Sequence, residues 1–383
     1  MKIIFIVDNL NDNACAIVAR QFINGFSDIG VNILLITSSV INKYYTTNIP
    51  TILIPSPPAI YTIKHKISLI LSIRQIASKK FNTHILHKYY TIISEFNPDI
   101  VLTFASSDGY SIIDLGNIVS HKFKIPHHIH AVDALPAPEC WGENIFLRKI
   151  KIHYIKQLCS NVKIYTSTNR QMLDYQLQLI DNPDILSEII YNPINTNFIH
   201  RDKDQQKTQV LYIGNLTSNN KGRSGIEYYK AIVQLNSINN YEFIFLGTCI
   251  DIKNKFNEIY PLPENIQFIP WTDNVDEYIK SSSLLIDIDI HADNDVYLSS
   301  KLIKYLNSDL PILSITGTNS PASNLLNIKG LGVLPISHHS QLIKNSIINS
   351  ESIYVDKKIR TQFIEKFMIN NIISDIINLY SKI

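Results

Sequence analysis

Short unbroken apolar runs, most of them closed by Gly, Asp or Asn, alternate with segments of helical spacing, and the series runs twice along this chain. No other feature constrains the fold as much. Residues 3–7, 31–36, 99–104, 126–132 and 162–166 read as strands covered on both faces, because a strand with one wet face alternates polar and apolar residues. Between them, 13–26 carries Ile17, Val18, Phe22 and Phe26 at helical spacing with Gly30 as its stop, and a helix begins near Asn169. The second series has strands at 210–213, 242–246, 266–269 and 284–288, with a helix at 226–235 and a helical turn at 275–280. The final segment, 359–383, places Phe363, Phe367, Ile372, Ile373, Ile376 and Ile377 at helical spacing. Such alternation predicts an α/β protein with doubly wound parallel sheets.

At 383 residues the chain fits two domains of ordinary size. The turn Asn192-Pro193 marks the boundary, and the polar run 201–207 follows it. We therefore expect a first domain at 1–190, a linker at 191–200, a second domain at 201–365, and a terminal helix at 366–383 packing back on the first.

Composition excludes several classes. The hydrophobic share, 45%, is that of a globular protein, and no apolar run reaches the roughly 18 residues that span a bilayer. The opening residues 1–7 end at Asp8-Asn9 without a small-residue cleavage site, which makes them a first strand and not a signal peptide. Cys15, Cys140, Cys159 and Cys249 are too scattered for a disulfide framework or a zinc site, and a reducing cytosol is expected. No Gly-x-Gly-x-x-Gly follows the first strand, which disfavours a nicotinamide-dependent enzyme.

Charge is unevenly spread. No acidic residue lies between Asp28 and Glu95, while Lys64, Lys66, Arg74, Lys79 and Lys80 alternate there with isoleucines and leucines. Arg148, Lys149, Lys151 and Lys156 repeat the pattern beside Ile150, Ile152 and Ile155. Basic amphipathic helices of this kind lie on anionic membrane surfaces. A solvated helix face explains them equally well. Nucleic acid is not expected, since no recognised binding motif accompanies the charge.

The stretch 298–312 reads Leu-Ser-Ser-Lys-Leu-Ile-Lys-Tyr-Leu-Asn-Ser-Asp-Leu-Pro-Ile. A helix opening on Ser299, Ser300 and Lys301 directs free N–H groups and a cation toward what precedes it, which suits a diphosphate. The stretch resembles the Ser-Lys-Leu-x-Glu-Tyr-Leu segment of GT-B glycosyltransferases, bacterial ones of the polysaccharide-building type among them. Asn97-Pro98-Asp99-Ile100-Val101, Asn192-Pro193-Ile194-Asn195 with Phe198, residues 211–216 with Gly214, and Phe245-Leu246-Gly247 are similar to further segments of that family, in the same order.

The resemblance implies two Rossmann-like doubly wound domains facing across a cleft. It also implies transfer of a sugar from a nucleotide-sugar to a lipid-linked or saccharide acceptor, with no cofactor and no bound metal. The implied place is the cytoplasm, at the inner face of the membrane. Donor binding then falls to Gly214, Asn215 (where the family usually has Arg), Lys221, Arg223, Gly247, Ser299, Ser300 and Lys301, with Trp271 set to stack on the base. A solvated basic loop at 218–223 and a surface-packed Trp271 are the plainer alternatives.

Two family glutamates are missing. Lys304 stands at the second, which normally holds the ribose, and the first falls on Val296 with Asp295 beside it as the substitute. A GT-B-like binding or partner subunit without catalysis is the alternative that this departure favours. His127-His128-Ile129-His130 runs along a strand to Asp133, where α/β sites form, with His128 and His130 on one face. Asp133 suits a general base or a group that binds a sugar hydroxyl, and His130 a neighbour that stabilises charge. A structural histidine with a turn-capping aspartate, and a metal site built from the three histidines, are the other readings. Asp287-x-Asp289 ends an apolar strand, and we read it as such and not as a metal-binding pair.

Overall fold

The structure is a computed structural model. It describes the chain except Asp12, 41–48, 56–81, Asp108, Glu143, Asn195, 203–207, 218–221, 236–239 and Asp273. Contacts divide the chain into two units. One holds Met1–Glu139, Glu143–Asn195 and Phe367–Ile383; the other holds Cys140–Gly142 and Thr196–Lys366.

The first unit is built on a parallel sheet in the order β3-β2-β1-β4-β5-β6-β7. Its strands are β1 (Lys2–Val7), β2 (Asn32–Thr37), β3 (Thr51–Leu53), β4 (Ile100–Ala105), β5 (His127–Ala131), β6 (Ile164–Ser167) and β7 (Leu186–Ile189). The second is built on a parallel sheet in the order β10-β9-β8-β11-β12-β13. Its strands are β8 (Thr208–Ile213), β9 (Tyr241–Leu246), β10 (Ile266–Ile269), β11 (Leu284–Ile288), β12 (Ile312–Ile315) and β13 (Val333–Ile336). The central strands β1, β4, β5, β8 and β11 are buried almost throughout, which is why they lack polar alternation.

Local chemistry starts the helices where the sequence suggests. Asn13 caps α1 (Ala14–Asp28) by accepting from the Ala16 N–H, and Asn169 caps the helix Arg170–Leu179 through the Met172 N–H. Replacing such a cap by Ala costs about 1 kcal/mol. The final segment holds two helices, Lys357–Ile364 and Ile369–Tyr380, parted by a short 3-10 turn, Glu365–Phe367, and the second lies within the expected terminal helix 366–383. The second piece packs on α1, with Ile372, Ile373 and Ile376 in one core with Phe22 and Phe26. A side chain at Gly25 would collide there with Ile369 and Ile373.

Among the described residues, no helix is long and apolar enough to cross a membrane. The acid-free span keeps only its flanks inside the described residues, and Lys64, Lys66, Arg74, Lys79 and Lys80 fall outside them.

Candidate functional site

The second sheet reverses its winding between β8 and β11, and loops leaving such a switch point open a crevice at the carboxyl ends of the strands. Gly214 follows β8, Gly247 follows β9, Trp271 follows β10 and Asp289 follows β11. Gly214 and Gly247 adopt φ of 109° and 78°, conformations that side chains resist. Close packing also demands them. A Cβ at Gly214 would lie 3.1 Å from the Lys301 Cδ, and one at Gly247 would lie 2.8 Å from the Trp271 ring. Trp271 nevertheless stays 60% exposed.

Lys301 enters this space from the helix Ser300–Leu306. Its ammonium donates to the Tyr212 hydroxyl at 2.9 Å and sits 4.7 Å from the centre of the same ring. Burial, with the nearby Arg223, brings its pKa down to about 8. The Arg223 Nε pairs with the Asp289 Oδ1 at 3.4 Å, and the Ile290 N–H donates to the same oxygen. Asp287 accepts from the Ser314 hydroxyl at 3.1 Å, and burial, reinforced by Asp289, raises its pKa. Both carboxylates are fully buried. Two cations and two anions thus share one region, where charges are held by one another. The pair Asp287-x-Asp289 is engaged with Ser314 and Arg223.

The other expected donor residues divide. Lys221 lies outside the described residues. The Asn215 Oδ1 accepts from the Leu216 and Cys249 N–H groups at 3.0 and 3.3 Å, so its carbonyl ties two loops together. Ser299 is buried at the helix start while Ser300 is exposed. Lys304 pairs with Asp276 at 3.1 Å. Asp295 is buried, and its Oδ1 accepts from the Trp141 indole N–H at 2.8 Å and from the Val296 N–H at 2.9 Å. Burial, aided by Asp289, raises its pKa to about 6. Trp141 belongs to the small segment grouped with the second unit and meets Tyr297 edge to face at 4.9 Å.

In the first unit, the three histidines do not converge. The His127 Nε2 and Nδ1 bond Thr103 and Asn117 at 2.8 and 2.9 Å. His128 and His130 share the other face, and both reach the Thr166 hydroxyl, at 2.8 and 2.9 Å. The second His128 nitrogen bonds the Tyr380 hydroxyl at 2.8 Å. His130 is wholly buried between Phe22 and Phe104, each ring centre 5.0 Å away, and its Nε2 has no partner among the described residues. Burial holds the pKa of His127 and of His130 down to about 3. His130 is thus a core residue whose burial disfavours the imidazolium form. Asp133 is half-buried, and its Oδ2 accepts from the Ser107 N–H at 3.1 Å. Burial first, then Asp133, push the Cys15 thiol up to about 12.

Sequence reasoning missed Tyr212 and Trp141 as parts of polar networks. Tyr212 reads as one more apolar position of a buried strand, and nothing local marks its hydroxyl as a partner of a lysine 89 residues away. Trp141 lies in a short 3-10 turn with no periodic signal.

Neither a family model nor a curated protein matches this chain. Solved structures do. HepE from Anabaena, in complex with UDP and glucose, is 12% identical over 100% of both chains, with a TM-score of 0.69. The lipopolysaccharide outer core galactosyltransferase WaaB, in its apo form, is 12% identical over 100% of both chains, with a TM-score of 0.67. Sucrose-phosphate synthase from Thermosynechococcus elongatus is 12% identical over 100% of this chain and 98% of its own, with a TM-score of 0.69. At such identity the likeness is one of fold.

Proposed function

Starting from a chain that has the GT-B fold, we propose that it transfers a sugar from a nucleotide-sugar, with the second unit holding the donor. The observation that carries this is the Lys301 ammonium at glycine-cleared strand ends, with Arg223 close by. A leaving diphosphate needs positive charge as the bond from the sugar's anomeric carbon to the phosphate oxygen breaks. Lys301 and Arg223 supply it here, and exposed Trp271 offers a face for the base. Ser299 and Ser300 line the same helix start. In this reading Asp133 takes the proton of the acceptor hydroxyl as its oxygen bonds the anomeric carbon, and Asp295 faces the transferred sugar.

HepE holds UDP in its structure, so UDP is the first probe. Calorimetry with UDP and uridine tests the assignment. Lys301→Met and Arg223→Ala should each weaken UDP by about 1.5–3 kcal/mol, the range for a charge-assisted contact, and leave uridine nearly unchanged. Equal losses on both ligands would count against phosphate contact.

The acceptor reading is a lipid-linked sugar of a bacterial surface polysaccharide, reached by the protein at the inner face of the cell membrane. Its support is the helix Ile145–Cys159. There Ile145 and Phe146 are 66% and 58% exposed, beside exposed Lys149 and Lys156. Each cation near an anionic surface contributes about 1 kcal/mol. Anionic vesicles should sediment the wild type, and Phe146→Ser with Lys149→Gln and Lys156→Gln should release it. Equal failure of anionic and neutral vesicles to sediment the wild type sinks this part.

A binding subunit without catalysis is the second reading. Lys304 at the family's glutamate position, paired with Asp276, favours it. Turnover of any nucleotide-sugar excludes it.

A further inference from the structure

Among the described residues of the donor region, Lys301 is a cation held by a neutral aromatic partner, Tyr212. Tyr212 is fully buried on β8, two residues before Gly214. Its hydroxyl accepts from the Lys301 ammonium at 2.9 Å and donates to the Asn215 carbonyl at 3.0 Å. The ring lies under the same ammonium at 4.7 Å. One side chain therefore ties the cation to the backbone of the loop that follows Gly214. That loop is itself bound to the next one. The Thr248 hydroxyl donates to the Gly214 carbonyl at 2.7 Å, and the Cys249 N–H donates to Asn215.

A free lysine has four rotatable bonds and loses much of their entropy when a ligand fixes it. A lysine already held by a hydroxyl and a ring face has lost that entropy on folding, so an incoming anion need not order it.

We propose that Tyr212 is a positioning residue for the donor site: it presets the Lys301 ammonium and couples it to the Gly214–Asn215 loop, so that a nucleoside diphosphate meets a cation already in place. The inference rests on the donor-site reading given above. The groups acting on Lys301 are Arg223, which disfavours its charge, and Asp287 and Asp289, which favour it. The Tyr212 hydroxyl adds an acceptor that also favours the ammonium.

The test uses the full chain and the variants Tyr212→Phe, Tyr212→Met and Lys301→Met, titrated with UDP and with uridine from pH 6 to pH 9.5. Melting curves serve as the folding control. Tyr212→Phe keeps the ring and should bind UDP about tenfold more weakly, the loss of one charge-assisted hydrogen bond, with uridine unchanged. Its UDP affinity should also decline at a lower pH than in the wild type, because the ammonium has lost an acceptor. Tyr212→Met removes the ring as well and should deepen the loss. A tyrosine that merely filled the core would weaken both ligands alike and leave the pH midpoint in place, and either result overturns the inference. If Lys301→Met leaves the preference for UDP over uridine intact, the donor-site reading fails and this inference with it. If Lys301→Met abolishes the preference while Tyr212→Phe keeps both preference and midpoint, only the inference fails.

Discussion

The polar groups at the strand ends of the second sheet and the histidines of the first face the same problem and solve it in opposite ways. Both sets are ionisable and buried. Around β11, Asp287 and Asp289 lie in one region with Arg223 and Lys301, and opposite charges stabilise one another. Along β5, burial drives the histidines toward the neutral form, and the neighbouring rings press His128 the same way. Hydroxyls and an amide bond both nitrogens of His127 and His128 and the Nδ1 of His130 instead. Burial alone thus does not decide whether a group stays charged. What decides is whether a counter-charge was buried with it.

The sharpest way to break this comparison is to remove one charge on one side and one imidazole on the other. Asp289→Ala leaves Arg223 without its carboxylate, and losing one member of a buried pair costs about 3–5 kcal/mol. Arg223 keeps some solvent contact, so we expect the lower end of that range. His130→Phe, by contrast, swaps one ring for another of similar size and gives up a single hydrogen bond to Thr166. Its cost should stay under about 1.5 kcal/mol. Urea denaturation of both variants checks the ordering, and a larger loss at His130 would reverse the argument.

A smaller effect follows from pH. The folded-state pKa of Lys301 is lowered, to about 8, so the ammonium is present below that value and is lost as pH rises through it. UDP affinity should therefore hold steady from pH 6 to 7 and fall above about pH 8, toward the affinity of Lys301→Met. The first-unit histidines should contribute nothing to that curve, since burial holds their protonation below the whole window. Calorimetry at stepped pH reads this directly, and a midpoint near the usual histidine range would assign the titration elsewhere.

Much of the fold was legible because strand burial writes itself into sequence. Strands 266–269 and 284–288 and helix 226–235 stand where the pattern predicts. The short edge strands of the first sheet were not legible. β3 alternates exposed and covered positions over only three residues and β7 has two adjacent exposed residues among four, so neither gives a period that registers. The break at 365–367 was not legible, because the apolar spacing of 359–383 continues through it while the backbone tightens there. At the candidate site, Gly214, Gly247 and Lys301 announced themselves through local motifs. Tyr212 and Trp141 did not, because their chemistry lies in contacts with residues far along the chain. The surroundings of His130 were not legible either, since a histidine near a strand end reads the same in sequence whatever rings, here Phe22 and Phe104, pack against it.

The return of Phe367–Ile383 to the first unit has a consequence for how the chain is made. A ribosome releases residues in order, so the whole second unit emerges before the helix that completes the core around Phe22 and Phe26. Until then, Phe22, Phe26 and the face of His128 lack their last neighbours, and the Tyr380 hydroxyl that bonds His128 does not yet exist. The second unit, continuous but for three residues, has no such debt and is free to fold while its host waits. In this protein the half that is translated first is the half that is finished last.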